Sequence, residues 1–498
     1  MKLLEKSQIR SWDLDTIDHQ NISSFDLMLR AASVFSNWFQ SLFFDKTRTI
    51  HVFCGMGNNG GDGFCIASLL AKAGYEVNVY LFQFNNRFSD DNLSRQKEVE
   101  SFDKFEKFTP FPLEQKDLII DALLGSGING PLKGEYLKLV SWLNALPNKI
   151  ISIDIPSGMD PDQPTSGSFV HADHVLSFEI PKISFFLNEN SDYIKNWDYR
   201  SIHLNPGFVE DLKVMNYLID YDLVKSILRQ RKATENKKDF GFAQFCGGSP
   251  GMLGSVILAS KAAMRCGLGR LAVSTPSIYH SSLFSSCPEA MAQADLPKNV
   301  SNLVDFQLVN EHVDAIAIGP GLSSAKESVR YIDEFLKANK KPAVLDADAL
   351  NIISRNKWQP RIGAYSIISP HKEEFERLFG TCDSHYSRIQ KQIEKSKELN
   401  IFIILKGAHT TISSPDGSCY YNNTGNVGMG TAGSGDVLTG MLLSFLAQGY
   451  TPLETCILAV YLHGSAGDSA AFKYGNIALI ASDIIEFIPS VIKNINGK

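Results

Sequence analysis

Short apolar runs that end in turns rich in glycine, asparagine or aspartate recur along this chain, with helical stretches between them. In the first half the runs are residues 50–53, 76–82, 118–120, 150–155 and 174–178, preceded by helical patterns at 6–18 and 24–44. In the second half they are 243–246, 271–274, 315–318, 343–345, 366–368 and 402–405, with a small-residue helix at 254–266 and further helices from 435 onward. Strands that alternate with helices predict parallel sheets covered on both faces. Sites in such sheets lie beyond the carboxyl ends of the strands. The fold class read here is α/β, with two doubly wound domains at 1–220 and 221–498. The charged stretch 229–239 has no apolar periodicity and reads as the linker or its edge.

Composition narrows the function classes. A length of 498 residues and a 44% hydrophobic content allow several domains with ample core. A net charge of -6 disfavours a nucleic-acid binder driven by bulk electrostatics. The eight cysteines are scattered, form no CxxC pair and sit mostly in apolar runs, which points to buried thiols of a reducing compartment. The start lacks a long apolar stretch, and no run of 18 apolar residues occurs. The expected location is the cytoplasm, with no membrane and no nucleic-acid partner.

The densest motif is Thr431-Ala432-Gly433-Ser434-Gly435-Asp436-Val437-Leu438-Thr439-Gly440. Small residues let the backbone approach an anion, and the apolar residues after Asp436 read as a helix start whose N–H groups favour phosphate. Asp436 is the candidate base there. The plainer reading is a glycine turn with Asp436 as N-cap.

Other turns share the strand-end position. In the first half, Asn58, Asn59, Gly60, Gly61 and Asp62 belong to a glycine-rich loop that follows a strand and opens a helix, outside the dinucleotide spacing. Asp121 ends the next apolar run and leads into Gly125, Ser126, Gly127, Ile128, Asn129, Gly130 and Pro131, a second loop able to wrap a ligand. Asp154 and Ser157 follow a third run. The oxygens of Asn59, Asp121, Asp154 and Ser157 suit a cation or a polyhydroxyl substrate. Either aspartate alone reads equally well as a cap or turn residue.

The segments GMGNNGGDGF, DALLGSGINGPL and SIDIPSGMD resemble the epimerase domain of the NAD(P)HX-repair enzymes, the YjeF N-terminal family, over about residues 1–215. Leu27 to Ala31 resembles that family's early helix motif, with Leu29 where glutamate is common. The resemblance implies a Rossmann-like fold and exchange of the R and S epimers of hydrated NADH or NADPH. It implies that Asn58 to Asp62, Gly125 to Pro131 and Asp154 contact the hydrated nucleotide, and that Asn59, Asp121 and Ser157 hold potassium. Asp154 is the candidate acid/base group.

In the second half, glycine-rich turns at 247–254 and 319–321, the Asp346-Ala347-Asp348 turn, Ser369-Pro370-His371 and the run Lys406, Gly407, Ala408, His409, Thr410 all close strands. Singly, His371 reads as structural and Lys406 as a solvated cation; together at strand ends they point to a site. GNVGMGTAGSGDVLTG and KGAHT resemble the ribokinase-like ADP/ATP-dependent NAD(P)HX dehydratases, the YjeF C-terminal family, over about 225–495. The resemblance implies that Lys406 to Thr410 and Gly435 border an adenine nucleotide. It places Asp436, Gly321, His371 and Ser255 beside the hydrated nicotinamide nucleotide, and implies magnesium on the phosphates. Two departures stand out: Ser369-Pro370-His371-Lys372-Glu373-Glu374 replaces the common Thr-Pro-His-Pro-Gly-Glu, and Ala432 to Asp436 replaces Gly-Gly-Thr-Gly-Asp.

The expected function is bifunctional: epimerisation of NADHX or NADPHX, then dehydration of the S form. The fused arrangement resembles bacterial members, which favours ADP as phosphoryl donor, yielding AMP and phosphate. A homo-oligomer is expected. The rival is a ribokinase-superfamily small-molecule kinase with a non-catalytic N-terminal binding domain.

Overall fold

The computed structural model describes residues 1–84, 87–128, 130–292 and 312–497. Two compact units divide the chain, Lys2–Val214 and Met215–Lys498, the latter with Met1.

The first unit begins with helices α1 (Lys6–Gln20) and α2 (Ser24–Leu42). Its strands are β1 (Ile50–Cys54), β2 (Val77–Phe82), β3 (Asp103–Phe105), β4 (Leu118–Ala122), β5 (Lys149–Ile153), β6 (Ala172–Phe178) and β7 (Ile194–Arg200). They pair in parallel in the order β3-β2-β1-β4-β5-β6-β7. Helix α3 (Asn58–Lys72) links β1 to β2, and α4 (Gly134–Ala145) links β4 to β5. The alternation of side chains along a strand explains why both faces are apolar. Val52 and Ile120 pack with Phe35, Phe39 and Phe64 on one face; Phe53 and Ile119 pack with Leu139 and Leu143 on the other. Each fully buried side chain of this size contributes about 1.5–3 kcal/mol of transfer free energy. β1, β4 and β5, the strands ahead of the candidate loops, occupy the middle of the sheet.

The second unit starts with β8 (Asn216–Ile219) and α5 (Tyr221–Ile227). The stretch 229–239, expected at or beside the linker, follows α5 inside this unit. Next come β9 (Phe242–Cys246), α6 (Leu253–Arg265), β10 (Arg270–Ser274), β11 (Met291–Ala292), β12 (Ala315–Ile318) and α7 (Lys326–Ala338). Then follow β13 (Ala343–Leu345), α8 (Asp348–Asn356), β14 (Ile367–Ile368), α9 (Lys372–Phe379), α10 (His385–Leu399) and β15 (Phe402–Leu405). The chain ends with β16 (Thr411–Ser413), β17 (Cys419–Asn422), α11 (Ser434–Ala447), α12 (Pro452–Tyr474) and α13 (Ala481–Asn496).

These strands run in the order β8-β17-β16-β15-β14-β13-β12-β9-β10-β11. β16 is antiparallel to both neighbours, while the rest of the ladder is parallel. The hairpin thus extends a parallel sheet that the apolar pattern predicted only as far as 402–405. Phe245, Ala317 and Val344 face α6, α11 and α12; Cys246, Ile318 and Leu345 face the α7–α9 side. None of the described helices is long and apolar enough to cross a membrane.

Candidate functional sites

In the first unit, the loop after β1 is held from outside by Asn92. This fully buried side chain donates to the carbonyls of Gly55 and Gly57, both at 2.9 Å. Gly57 is the N-cap of α3, so Asn58 and Asn59 open that helix. Asn59 is buried, and its Nδ2 finds no hydrogen-bond partner among the described residues. The second glycine loop lies against it: a Cβ built on Gly125 would stand 3.4 Å from the Asn59 Cβ. Ser126 and Ile128 are partly buried, whereas Gly127, Gly130 and Pro131 are exposed; Asn129 lies outside the described residues.

Asp121 is fully buried within β4. Its oxygens accept from Ser157 Oγ (2.5 Å), Ser157 N (2.8 Å), Ser152 Oγ (2.9 Å) and Leu123 N (3.3 Å). Burial pushes its pKa up, and these hydrogen bonds oppose that. Ser157 Oγ also accepts from Leu124 N at 2.8 Å, which ties the third loop to the second. The structure therefore ties Ser157, past β5, to Asp121 in β4 and to the loop after β4, whose Gly125 lies against Asn59 at the start of α3.

Asp154 follows β5 with φ 61, a backbone conformation rare for residues carrying a Cβ. Its Oδ1 accepts from Lys182 Nζ at 2.8 Å and from Phe178 N at 2.9 Å. Lys182 is 2% exposed, so this buried ammonium depends on the pairing. Sequence reasoning missed Lys182, which sits past β6 in a segment without a glycine turn. It also missed Asp13 of α1. Burial, then the Asp154 charge, raises the Asp13 pKa to about 7. Burial followed by Asp154 and Asp13 pushes Asp62 well up.

In the second unit, α11 starts from Gly433, whose φ of 90 belongs to the left-handed region that glycine tolerates. Gly433, not Asp436, is the N-cap, so the plainer reading of Asp436 as the capping residue is corrected. Asp436 sits in the first turn, where its carboxylate takes a hydrogen bond from Ser255 of α6. Burial raises its pKa to about 6, and Asp346 adds to the rise while Ser255 and Lys406 oppose it. A base of that pKa is ionised at neutral pH.

Lys406 closes β15 and pairs with Asp346, which follows β13, at 3.0 Å. Thr439, one turn along α11 from Gly435, donates to the second Asp346 oxygen at 2.7 Å. Burial draws the Lys406 pKa down, and the carboxylates of Asp346 and Glu374 more than reverse this, leaving it raised. A Cβ built on Gly435 would lie 3.4 Å from Lys406 Nζ, so the glycine leaves this ammonium room. Gly407 and Ala408 are exposed, and Thr410 Oγ1 donates to the Gly407 carbonyl at 3.2 Å. The His409 ring is largely buried, which lowers its pKa against a hydrogen bond to the Asn422 backbone.

Gly321 has φ 69 and packs beside Gly248, so the loops after β12 and β9 touch. His371 is the N-cap of α9 and forms a capping box with Glu374. Its Nδ1 pairs with Glu373 at 2.7 Å and its ring is half-exposed. His463 of α12 was missed: its Nε2 lies 3.4 Å from Ser434 Oγ, and burial drops its pKa to about 4, so it is neutral there. The periodic apolar pattern of α12 hid it.

Comparison with known proteins bears on both units. Residues 24–184 match the YjeF-related protein N-terminus family, and residues 243–490 match the NAD(P)H-hydrate dehydratase family. A Moorella thermoacetica protein described as a bifunctional NAD(P)H-hydrate repair enzyme is 31% identical over 471 residues, spanning 90% of this chain and 88% of that one. The chain belongs to the bifunctional NAD(P)H-hydrate repair enzymes. Enzymes of the same description from Thermofilum pendens and Escherichia coli are 30% and 27% identical, over 99% and 97% of this chain and 96% and 92% of theirs. A ribokinase-like superfamily protein of Enterococcus faecalis superposes with a TM-score of 0.50 at 26% identity, over 58% of this chain and 99% of its own. The Bacillus subtilis ADP/ATP-dependent NAD(P)H-hydrate dehydratase, co-crystallized with ATP/Mg2+, is 30% identical with a TM-score of 0.48, over 56% of this chain and 98% of its own. The two family matches account for one unit each in this repair-enzyme family.

Proposed function

We propose that this member performs both halves of NAD(P)H-hydrate repair, the first unit interconverting R- and S-NAD(P)HX and the second dehydrating the S form with ADP. The observation that carries the second half is Asp436 in the first turn of a helix that opens on Gly433. An ionisable base then sits in the same turn as the helix-opening backbone N–H groups, which favour an anion. Hydroxide is a poor leaving group and phosphate a better one. Asp436, aligned by Ser255, accepts the C6 hydroxyl proton as that oxygen takes the β-phosphoryl group of ADP and AMP leaves. The N–H group of Gly435 with Lys406 balances its charge. Elimination then breaks the C6–O bond to release phosphate and the C5–H bond to release a proton to solvent, and the C5–H electron pair forms the C5=C6 double bond of the dihydropyridine. Lys406 to Thr410 and Gly435 border the adenine nucleotide, while Gly321, His371 and Ser255 contact the hydrated nicotinamide nucleotide.

Among the described residues, no group of three histidine, cysteine or acidic side chains is placed to hold a metal ion. That suits magnesium carried mainly by nucleotide phosphates and water, with Asp346 and Glu374 the nearby carboxylates. Its chemistry there is neutralisation of phosphate charge.

In the first unit, Asn58 to Asp62, Gly125 to Pro131 and Asp154 form the walls for the hydrated nucleotide. Asp121 is a buried carboxylate whose partners are hydroxyls and amides, and the Asn59 side-chain oxygen lies 4.0 Å from a Cβ built on Gly125. That donor set fits a potassium ion held by Asn59, Asp121 and Ser157, which would balance the buried charge and fix the loops.

Leu29, Leu42 and Phe44 are exposed apolar side chains on and just after α2, which supports self-association of the chain. The eight cysteines are free, all but Cys382 buried, which supports a reducing cytoplasm.

The test follows near-ultraviolet NADH absorbance on mixed R/S NADHX with magnesium, potassium and either ADP or ATP. Nearly complete recovery with ADP is expected. Recovery that stops at the S fraction would remove the epimerase half, and no recovery with either nucleotide would remove the dehydratase half.

A further inference from the structure

The first unit holds a charged cluster that the cation site and the glycine loops leave unexplained. Lys182 Nζ pairs with Asp154 Oδ1 at 2.8 Å, and Phe178 N and Ser177 Oγ lie 2.9 and 3.4 Å from the same oxygen. Asp13, Asp62 and Glu179 are the other charged groups around this pair. Glu179 is consumed by structure: its carboxylate accepts from Ser201 Oγ, Ile202 N and Leu204 N.

The segment that Glu179 anchors in turn holds α1. Asn205 accepts from Trp12 Nε1 at 2.7 Å and donates to Thr16 Oγ1 at 2.9 Å, on either side of Asp13 in sequence. Among the described residues, no hydrogen bond occupies the carboxylates of Asp13 or Asp62. Asp13 and Asp154 therefore share the Lys182 ammonium, while Asp62 feels both of these carboxylates together with Arg95 and Asp91, and burial with the mutual repulsion of the carboxylates opposes ionising all three. Burial and the Asp154 charge, with Glu179 adding and Lys182 opposing, raise Asp13 to about 7, so it exchanges a proton near neutrality.

We propose that Asp13 and Asp154 form a two-carboxylate acid–base pair that epimerises the hydrated nicotinamide ring, with Lys182 as the positioning residue for Asp154. The proposal rests on the epimerase reading and adds its proton-handling groups. The hydrated carbon C6 bears a hydroxyl and is bonded to ring nitrogen N1, so it is a carbinolamine. Asp13 gives its proton to the hydroxyl, the C6–O bond breaks and water leaves. The N1 lone pair forms the C6=N1 iminium. A water adds to the opposite face, a new C6–O bond forms, the electron pair returns to N1, and the water's proton passes to Asp154. No oxidant or reductant takes part. The other epimer uses the pair with roles reversed, so one shared proton serves both directions. The two carboxylates come from separate elements, α1 and the end of β5.

The experiment uses the full chain with R-enriched NADHX, magnesium, potassium and ADP, and resolves the fast S-derived phase from the slow R-derived phase. Asp13→Asn is expected to slow the R-derived phase at least about 100-fold in kcat, the scale of general acid–base catalysis, and to leave the S-derived phase and KM near wild type. In the wild type the R-derived rate should fall as pH rises through about 7, where Asp13 loses its proton; Asp13→Asn should lack that limb. Asp13→Glu, which keeps the carboxyl, should restore both the limb and part of the rate, and Lys182→Gln should displace the limb.

An Asp13→Asn variant with wild-type rate and pH profile overturns the proposal. So does a slow variant that keeps the alkaline limb, which marks a structural role. If the wild type itself converts the R form no faster than buffer, the epimerase reading falls first, and that result is distinct from either.

Discussion

Lys406 Nζ lies 3.0 Å from one oxygen of Asp346, and Thr439 Oγ1 lies 2.7 Å from the other. Asp346 is 2% exposed, so its charge depends on these two partners. Removing one member of a buried pair leaves the other uncompensated, which costs about 3–5 kcal/mol. Lys406 is itself partly exposed, so Lys406→Met should lose about 3 kcal/mol, read as a lower denaturant midpoint for the second unit. The double variant Lys406→Met/Asp346→Asn should recover much of that loss, because no unpaired charge remains. Additive losses in the two single variants would refute the pairing as the cause.

Asp436 supplies a pH test. Its pKa is raised to about 6, first by burial, and the proposed base must be ionised. Dehydration of S-NADHX should therefore hold steady above neutral pH and decline as pH falls through about 6. Asp436→Asn should lower kcat by about 100- to 10,000-fold while nucleotide binding, measured by calorimetry, stays close to wild type. Tight binding with a dead chemical step supports the base role; equal loss of both would recast Asp436 as a binding group.

Much of the fold was legible because the strands are buried on both faces, which writes them as continuous apolar runs such as 315–318 and 402–405. Ile194–Arg200 escaped notice because it pairs with only one neighbouring strand and most of its side chains reach solvent. The Thr411–Ser413 and Cys419–Asn422 hairpin is too short and too polar to register as an apolar run. Glycine turns at strand ends were readable, since small residues mark close backbone approach. Side chains that support those turns from elsewhere carried no local signal. Asn92 holds the first loop from 35 residues away, and Lys182 reaches Asp154 from 28 away. Asp13 lies on a helix whose charged residues look like a solvated face. His463 is one neutral ring following the apolar run 456–462 of its helix.

Two glycines of α11 should separate stability from binding. A Cβ on Gly440 would stand 2.1 Å from the Ala259 carbonyl, where α11 crosses α6. Gly440→Ala should force the helices apart and cost about 1–3 kcal/mol, the usual range for overpacking, read as a lower melting temperature. A Cβ on Gly435 meets only ordinary contact distances, so Gly435→Ala should melt near wild type. Because Gly435 opens toward Lys406, that variant should instead weaken ADP binding in a calorimetric titration. If Gly435→Ala melted early and bound normally, the glycine would be a packing residue.

The potassium assignment can be tested without turnover. Asp121 is fully buried, and burial holds its pKa above the usual carboxylate value, so ionisation works against folding as pH rises unless a cation balances it. An ion that binds only the folded state stabilises it by RT ln(1 + [L]/Kd), about 2.7 kcal/mol at 100 times Kd. The wild-type melting temperature at pH 8 should therefore climb when potassium replaces tetramethylammonium at constant ionic strength. Asp121→Asn removes the buried charge and keeps side-chain polarity. It should melt at the same temperature in both salts, and in tetramethylammonium it should equal or exceed the wild type. Ser157→Ala should show a reduced potassium response together with a lower baseline, because its hydroxyl also bonds Leu124 N. A potassium response that survives Asp121→Asn unchanged would place the ion elsewhere and leave Asp121 as a loop-bracing residue.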